Sequence, residues 1–172
     1  TLKSGNIGGY PLTNLLRKDS VTYTAVFVIT EGGNDYLENQ NIPVSNLSLK
    51  NVIIPGNTWN QPIVQNNDLL DANTPEISSI TVISGGRQKI GSTIQFYLAT
   101  DGAGYSFSNI SKINNIPFTD PDIGFTDLGT GYYNIFYQVD EGDPNVSAGA
   151  LTASIIIIDR AGNTASPFTT LG

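Results

Sequence analysis

Apolar and polar positions alternate along this chain in short runs, broken by Gly, Asn, Asp and Pro. Tyr23 to Ile29, YTAVFVI, is dense in β-branched and aromatic residues and predicts a strand. A polar loop from Glu31 to Asn41 follows, and Ile42–Leu49 predicts the returning strand. Val52–Thr58 turns the chain over, and Trp59–Leu70 leads away from this region. Further strands are predicted at Ile77–Ser84, Gly91–Ala99 and Phe107–Ile113. Short segments around Gly124–Leu128 precede a run beginning at Tyr133, and Ala165–Leu171 predicts the last strand. Residues 1–22 read differently. Gly5, Gly8, Gly9 and Pro11 punctuate them as turns, and Leu12, Leu15 and Leu16 have helical spacing over no more than one turn.

The same pattern occurs twice. Aligning Tyr23 with Tyr133 places Phe27 on Tyr137, Ile29 on Val139 and Glu31-Gly32 on Glu141-Gly142. After a one-residue slip Leu47 and Leu49 fall on Ile156 and Ile158, and after a slip of three more Gly56-Asn57-Thr58 falls on Gly162-Asn163-Thr164. A period of roughly 110 residues implies two copies of a domain rather than a short-period solenoid. The expected division is 1–73 and 74–172, with Asp71–Ile77 as an extended, stiff linker. Pro75 has no amide donor and disfavours a helical conformation at Thr74.

Composition narrows the function classes. The chain has 172 residues, 39% of them hydrophobic and 13% charged, which suits a turn-rich all-β protein with a core. A net charge of −7 makes nucleic acid and anionic membranes poor partners. Cysteine and histidine are both absent, so there is no disulfide, no thiol nucleophile, no zinc-thiolate set and no imidazole base. A serine triad has no histidine to draw on. No enzyme is expected.

Short strands at spacings of this kind, about seven in roughly a hundred residues, match an immunoglobulin-like sandwich. Three motifs carry a likeness: Gly91-Ser92-Thr93-Ile94-Gln95-Phe96, Tyr137-Gln138-Val139-Asp140-Glu141-Gly142-Asp143, and Asp159-Arg160-Ala161-Gly162-Asn163. Together they resemble the bacterial Ig-like repeats found in tandem in secreted adhesins and surface-layer proteins. Asp71-x-Asn73-x-Pro75 is similar to the calcium-binding linkers between cadherin repeats, without their central Asp-Asn pair. The resemblance implies tandem Ig-like β-sandwiches in an extracellular surface protein, repeat-array adhesin, surface layer or filament, acting as spacer or self-assembly module. Expected partners are adjacent Ig-like domains or copies of the chain itself. The first unit departs from the family: nothing in residues 1–22 corresponds to Ile77–Ser84 and Gly91–Ala99, so it lacks its first two strands. Upstream chain or a neighbouring subunit adding strands would complete it.

Alternating strands are expected to gather Glu31, Asp35, Asp71, Asn73, Asp101 and Asp159, with Asn163 close by, at the domain junction. Calcium takes six to eight oxygens from residues of these kinds, which makes Ca2+ the candidate cofactor. The plainer alternative is that they are turn formers whose side chains bond local backbone. Asp120/Asp122 and Asp140/Glu141 are paired carboxylates, but as close neighbours in turns they do not face each other across a cleft. Tyr10, Tyr36, Trp59, Tyr105 and Phe107 are candidates for a glycan-binding platform, against the commoner fate of strand aromatics as core. Sequons at Asn46, Asn109 and Asn145 matter only in a glycosylating host.

Overall fold

The computed structural model describes residues 2–49, 57–65 and 70–172, so most of the expected reversal at Val52–Thr58 lies outside the described residues. Every regular element among the described residues is a strand, and all ladders are antiparallel. The chain divides into two compact units, Thr1–Asn73 and Thr74–Gly172.

The first unit contains β1 (Leu2–Ile7), β2 (Tyr10–Pro11), β3 (Thr13–Arg17), β4 (Tyr23–Val26), β5 (Val44–Leu49) and β6 (Thr58–Trp59). One sheet runs in the order β2-β1-β5-β6, and β3 and β4 form a separate hairpin. Residues 2–17 are therefore strands joined by tight turns, not loop with a helical turn. Gly8 and Gly9 have φ of 61° and 89°, the conformation a two-residue hairpin turn needs at both central positions. The helical spacing of Leu12 and Leu15 has a different origin. Asn14 is left-handed, with φ 51°, and the β3–β4 register shifts between Thr13 and Leu16, so strand alternation breaks there. Tyr10, Ile42, Leu70 and Ala72 form the buried core, with Ile7, Phe27 and Tyr36 packed on it. The expected linker is thus divided: Ala72 packs in this core, while Ile77 opens a strand of the second unit.

The second unit contains β7 (Ile77–Val82), β8 (Thr93–Thr100), β9 (Ser106–Phe107), β10 (Lys112–Ile113), β11 (Ile116–Pro117), β12 (Ile123–Gly129), β13 (Tyr132–Gln138), β14 (Ala153–Ser154) and β15 (Ile157–Ile158). One sheet has the order β12-β13-β8-β7. The remaining strands pair as β11-β10-β14 and β15-β9. Ile94, Phe96 and Leu98 alternate inward from β8, and Tyr133, Ile135 and Tyr137 from β13. They share one core with Phe107, Ile113, Ala153, Ile155 and Ile157 from the other strands, as two layers of a β-sandwich do. The predicted strand Phe107–Ile113 is interrupted by a turn in which the Ser111 N–H donates to the Ser108 carbonyl at 2.9 Å. The predicted last strand is reduced to single bridges, Ile158 with Thr164 and Ile155 with Phe168, because Pro167 removes a ladder donor.

The two units share a pairing pattern. The offset that carries Tyr23 onto Tyr133 also carries the pairs Leu16–Thr24 and Arg17–Tyr23 onto Thr126–Asn134 and Asp127–Tyr133, which are direct partners. The β1–β2 hairpin recurs as β10–β11: Asn6–Pro11 and Ile7–Tyr10 become Lys112–Pro117 and Ile113–Ile116. Asn114 and Asn115 replace Gly8 and Gly9 and are likewise left-handed, at φ 51° and 65°. Across the sheet, Asn6–Ser45 and Ile7–Val44 recur as Lys112–Ser154 and Ile113–Ala153. The bond from the Leu12 N–H to the Gly5 carbonyl, 2.9 Å, recurs from Phe118 to Ser111 at 2.9 Å.

Candidate functional site

The acidic loops of the first unit converge on one stretch of backbone. Glu31 lies in a turn closed by the Gly33 N–H on the Thr30 carbonyl at 3.0 Å. The next residue ties that turn to the end of the unit, with the Gly32 N–H donating to the Ala72 carbonyl at 2.9 Å. Asp35 grips the same segment. Its Oδ1 accepts the Ala72 N–H at 2.7 Å and its Oδ2 accepts Asn73 Nδ2 at 2.6 Å. Asp71 Oδ1 accepts the Asn73 N–H at 3.0 Å. Glu31, Asp35, Asp71 and Asn73 therefore belong to one local loop cluster, in which three of them bond one another or the backbone between them.

In the second unit Asp101 Oδ1 accepts the Glu76 N–H at 2.9 Å and the Tyr105 hydroxyl at 3.0 Å. Asp159 is buried and closes its own turn. Its Oδ1 accepts the Gly162 and Asn163 N–H groups, each at 2.8 Å, and its Oδ2 accepts Asn163 Nδ2 at 3.0 Å. Burial, followed by the Asp101 carboxylate, pushes the Tyr105 hydroxyl well above the ordinary tyrosine range, and Asp159 adds to the effect. Asp101 and Asp159 thus act on one tyrosine without bonding each other. Such carboxylates stabilise loops by accepting backbone donors that would otherwise be unmet. Among the described residues, no group of three or more Asp or Glu side chains is placed to hold a metal ion.

A further acidic grouping is formed by residues that the sequence treated as separate pairs. Burial raises the Asp122 carboxyl above its ordinary value, and Asp140, Asp120 and Asp143 reinforce the shift. Asp143 Oδ2 accepts the Tyr137 hydroxyl at 2.7 Å and the Asp140 N–H at 2.8 Å. With burial as the larger cause, the Tyr137 hydroxyl is pushed up to about 12. The Gln138 N–H donates to the Asp122 carbonyl at 2.9 Å just beyond the Ile123–Tyr137 pair, which brings the two acidic turns to the same end of the β12–β13 hairpin.

Four of the five candidate platform aromatics are drawn into or onto the cores of their own units. Tyr10 and Phe107 are core residues of different units, Tyr36 packs on the first core and Tyr105 on the second. Trp59 alone of the five is largely open, at 57% exposure, with Nε1 donating to the Gln61 carbonyl at 3.1 Å.

The sharpest difference between the units is at matched hairpins. β13 is paired on both edges, with β12 on one side and β8 on the other. β4 is paired with β3 on one edge, and no described strand lies on the other. Tyr133, Ile135 and Tyr137 are fully buried, whereas Tyr23 is exposed and Ala25 and Phe27 are half-buried. No protein family, characterised protein or solved structure matches the chain.

Proposed function

We propose that the chain is a non-catalytic structural segment of an extracellular bacterial surface protein, built from tandem immunoglobulin-like sandwiches and working as a spacer or self-assembly module. The first sandwich lacks its first two strands. The observation that carries this reading is the recurrence of hairpin registers in both units, from Arg17–Tyr23 with Asp127–Tyr133 to Ile7–Tyr10 with Ile113–Ile116. The order β12-β13-β8-β7 also supports it, because an immunoglobulin-like sheet interleaves its early and later strands in that way. Repeats of this kind transmit load and set spacing through neighbour contacts, without catalytic groups. The test is assembly of the purified chain, followed by light scattering and electron microscopy with and without calcium. Ordered assembly without added ligand supports the reading. A chain that stays monomeric at every concentration and binds a small-molecule substrate contradicts it.

Calcium belongs to the same proposal through the acidic loops, Asp35, Asp71 and Asn73 in one unit and Asp101, Asp159 and Asn163 in the other. Thermal unfolding in calcium and in chelator tests it, and identical midpoints remove the metal from the reading. A carbohydrate-binding or adhesin role is the second reading, favoured by the exposed Trp59 ring. Glycan-array binding that disappears on Trp59→Ala would replace the first reading with the second.

A further inference from the structure

We infer that the open edge of β4 is an acceptor site for a β-strand supplied by a different polypeptide. The inference rests on the repeat-domain reading above and adds the partner's chemistry and register. The second unit supplies the template. There β8 pairs with β13 from Tyr132–Ala99 to Gln138–Thr93, setting Leu98 opposite Tyr133, Phe96 opposite Ile135 and Ile94 opposite Tyr137. Transferred by the shared offset, an added strand sets its residues at those three places opposite Tyr23, Ala25 and Phe27.

The acceptor has the properties such an addition needs. Tyr23 to Thr30 contains no charged residue and no proline, so the edge lacks the charge and the proline that commonly block strand pairing. Its apolar residues are uncovered, with Tyr23 at 41%, Val26 at 49%, Val28 at 67% and Ile29 at 45% exposure. Of these, Tyr23 matches the buried Tyr133, while Val26, Val28 and Ile29 match Phe136, Gln138 and Val139, which are half-buried or exposed. The donor is therefore an uncharged strand, apolar at alternate positions, like Thr-Ile-Gln-Phe-Tyr-Leu-Ala-Thr of β8. Main-chain bonds would give affinity and the alternate side chains specificity. Ala25 stands where the second unit has Ile135, so the added strand's central inward residue meets a smaller neighbour, which favours an aromatic there. A second copy's own β8 does not fit the role. It is held between β13 and β7, and withdrawing it would uncover Phe96 and Leu98, both at 0% exposure.

The test uses the full chain and a synthetic peptide of residues 91–100. Saturable binding is expected, with slower hydrogen exchange confined to Tyr23–Ile29. Because the chain has no cysteine, register can be read by cross-linking. The chain variant Ala25→Cys is expected to form a disulfide with peptide carrying Phe96→Cys in preference to peptide carrying Gln95→Cys. A peptide with Phe96→Asp, which leaves the protein unaltered, is expected to bind at least about tenfold more weakly, since it buries an unpaired charge. The proposal is overturned by absence of protection at saturating peptide, by equal cross-linking of both cysteine peptides, or by dimerisation through exchanged β8. If protection is absent while cross-strand contacts between Arg17 and Tyr23 match those between Asp127 and Tyr133, the repeat reading stands and the acceptor site alone falls.

Discussion

Tyr23 and Tyr133 occupy matched positions in hairpins of the same register, yet one ring is 41% exposed and the other is at 0%. The difference is made by neighbours, not by the strands themselves. β13 has β8 along its second edge and the residues of β9, β10, β14 and β15 across the core. Among the described residues β4 has neither a second strand nor a comparable core, and the first unit instead draws Leu70 and Ala72 inward beside Tyr10. Local sequence is enough to form a hairpin and set its register. Burial, and with it most of the stability, depends on non-local strands.

The largest expected contrast comes from truncating the matched tyrosines. Tyr133→Ala removes a fully buried ring and leaves the Tyr105 N–H without its 2.9 Å acceptor. It should cost the second unit about 3–5 kcal/mol in denaturant unfolding. Tyr23→Ala should change stability by under about 0.5 kcal/mol, as exposed substitutions usually do. Equal costs would show that the two hairpins are covered alike.

Next in size are the loop carboxylates. Asp159→Ala deprives two backbone N–H groups and Asn163 Nδ2 of their acceptor, the buried Asp159 carboxylate, in part-buried bonds. A loss of about 1–3 kcal/mol is expected from leaving such donors unmet. Asp35→Ala also removes two bonds, a part-buried one from Ala72 and an exposed one from Asn73, but the Asp35 side chain itself is exposed. It should cost under about 1 kcal/mol on the same basis. Circular dichroism melts of both variants make the comparison.

The units should also differ in alkali. Tyr105, Tyr133 and Tyr137 in the second unit all hold their protons above the ordinary tyrosine value, with burial the first cause in each. A group whose value is raised by folding binds its proton more tightly in the native state. Its contribution is whole below the unfolded value near about pH 10 and is lost as pH climbs through the folded one. The melting midpoint of the second unit should therefore fall from about pH 10 towards the Tyr137 value of about 12. Tyr137→Phe should flatten that fall, and an unchanged slope would remove this hydroxyl as a contributor. The first unit has Tyr10 raised by burial and should respond more weakly.

The smallest effect concerns the matched turns. Asn115→Gly gives the second unit the residue that the first uses at Gly9, and both positions are already left-handed. A two-residue turn of this geometry favours Gly at its second central position, so the midpoint should move by no more than about 0.5 kcal/mol equivalent. A larger loss would mean that the two turns are not equivalent.

Much of this was legible because strand pairing follows local pattern. The Tyr23–Tyr133 alignment matched residues that occupy corresponding places in paired strands, and Thr93–Thr100 and Tyr132–Gln138 carry the alternation of strands with one buried face. Strands β1 to β3 were hidden because Gly5, Gly8, Gly9 and Pro11 punctuate a stretch of short strands and the left-handed Asn14 turns strand alternation into a helix-like spacing of leucines. The signal was nonetheless present: Asn6-Ile-Gly-Gly-Tyr-Pro-Leu12 parallels Lys112-Ile-Asn-Asn-Ile-Pro-Phe118, at an offset four residues shorter than the one that relates the tyrosines. The offset is the one that places Gly56 on Gly162, and it matches the two hairpins once it is carried back to residues 6–12. The loop acids were harder for a physical reason. Asp and Asn serve as metal ligands and as acceptors for backbone donors with the same oxygens, and sequence spacing does not separate the two uses.

Residue-resolved hydrogen exchange across the two hairpins tests most directly whether β4 is an open copy of β13. The amides of Tyr133–Gln138 should exchange at least roughly 100-fold more slowly than those of Tyr23–Val28, since one strand is locked on both edges over a shared core and the other on a single edge. Equal protection in the two strands, measured on the unliganded chain, would contradict an open edge.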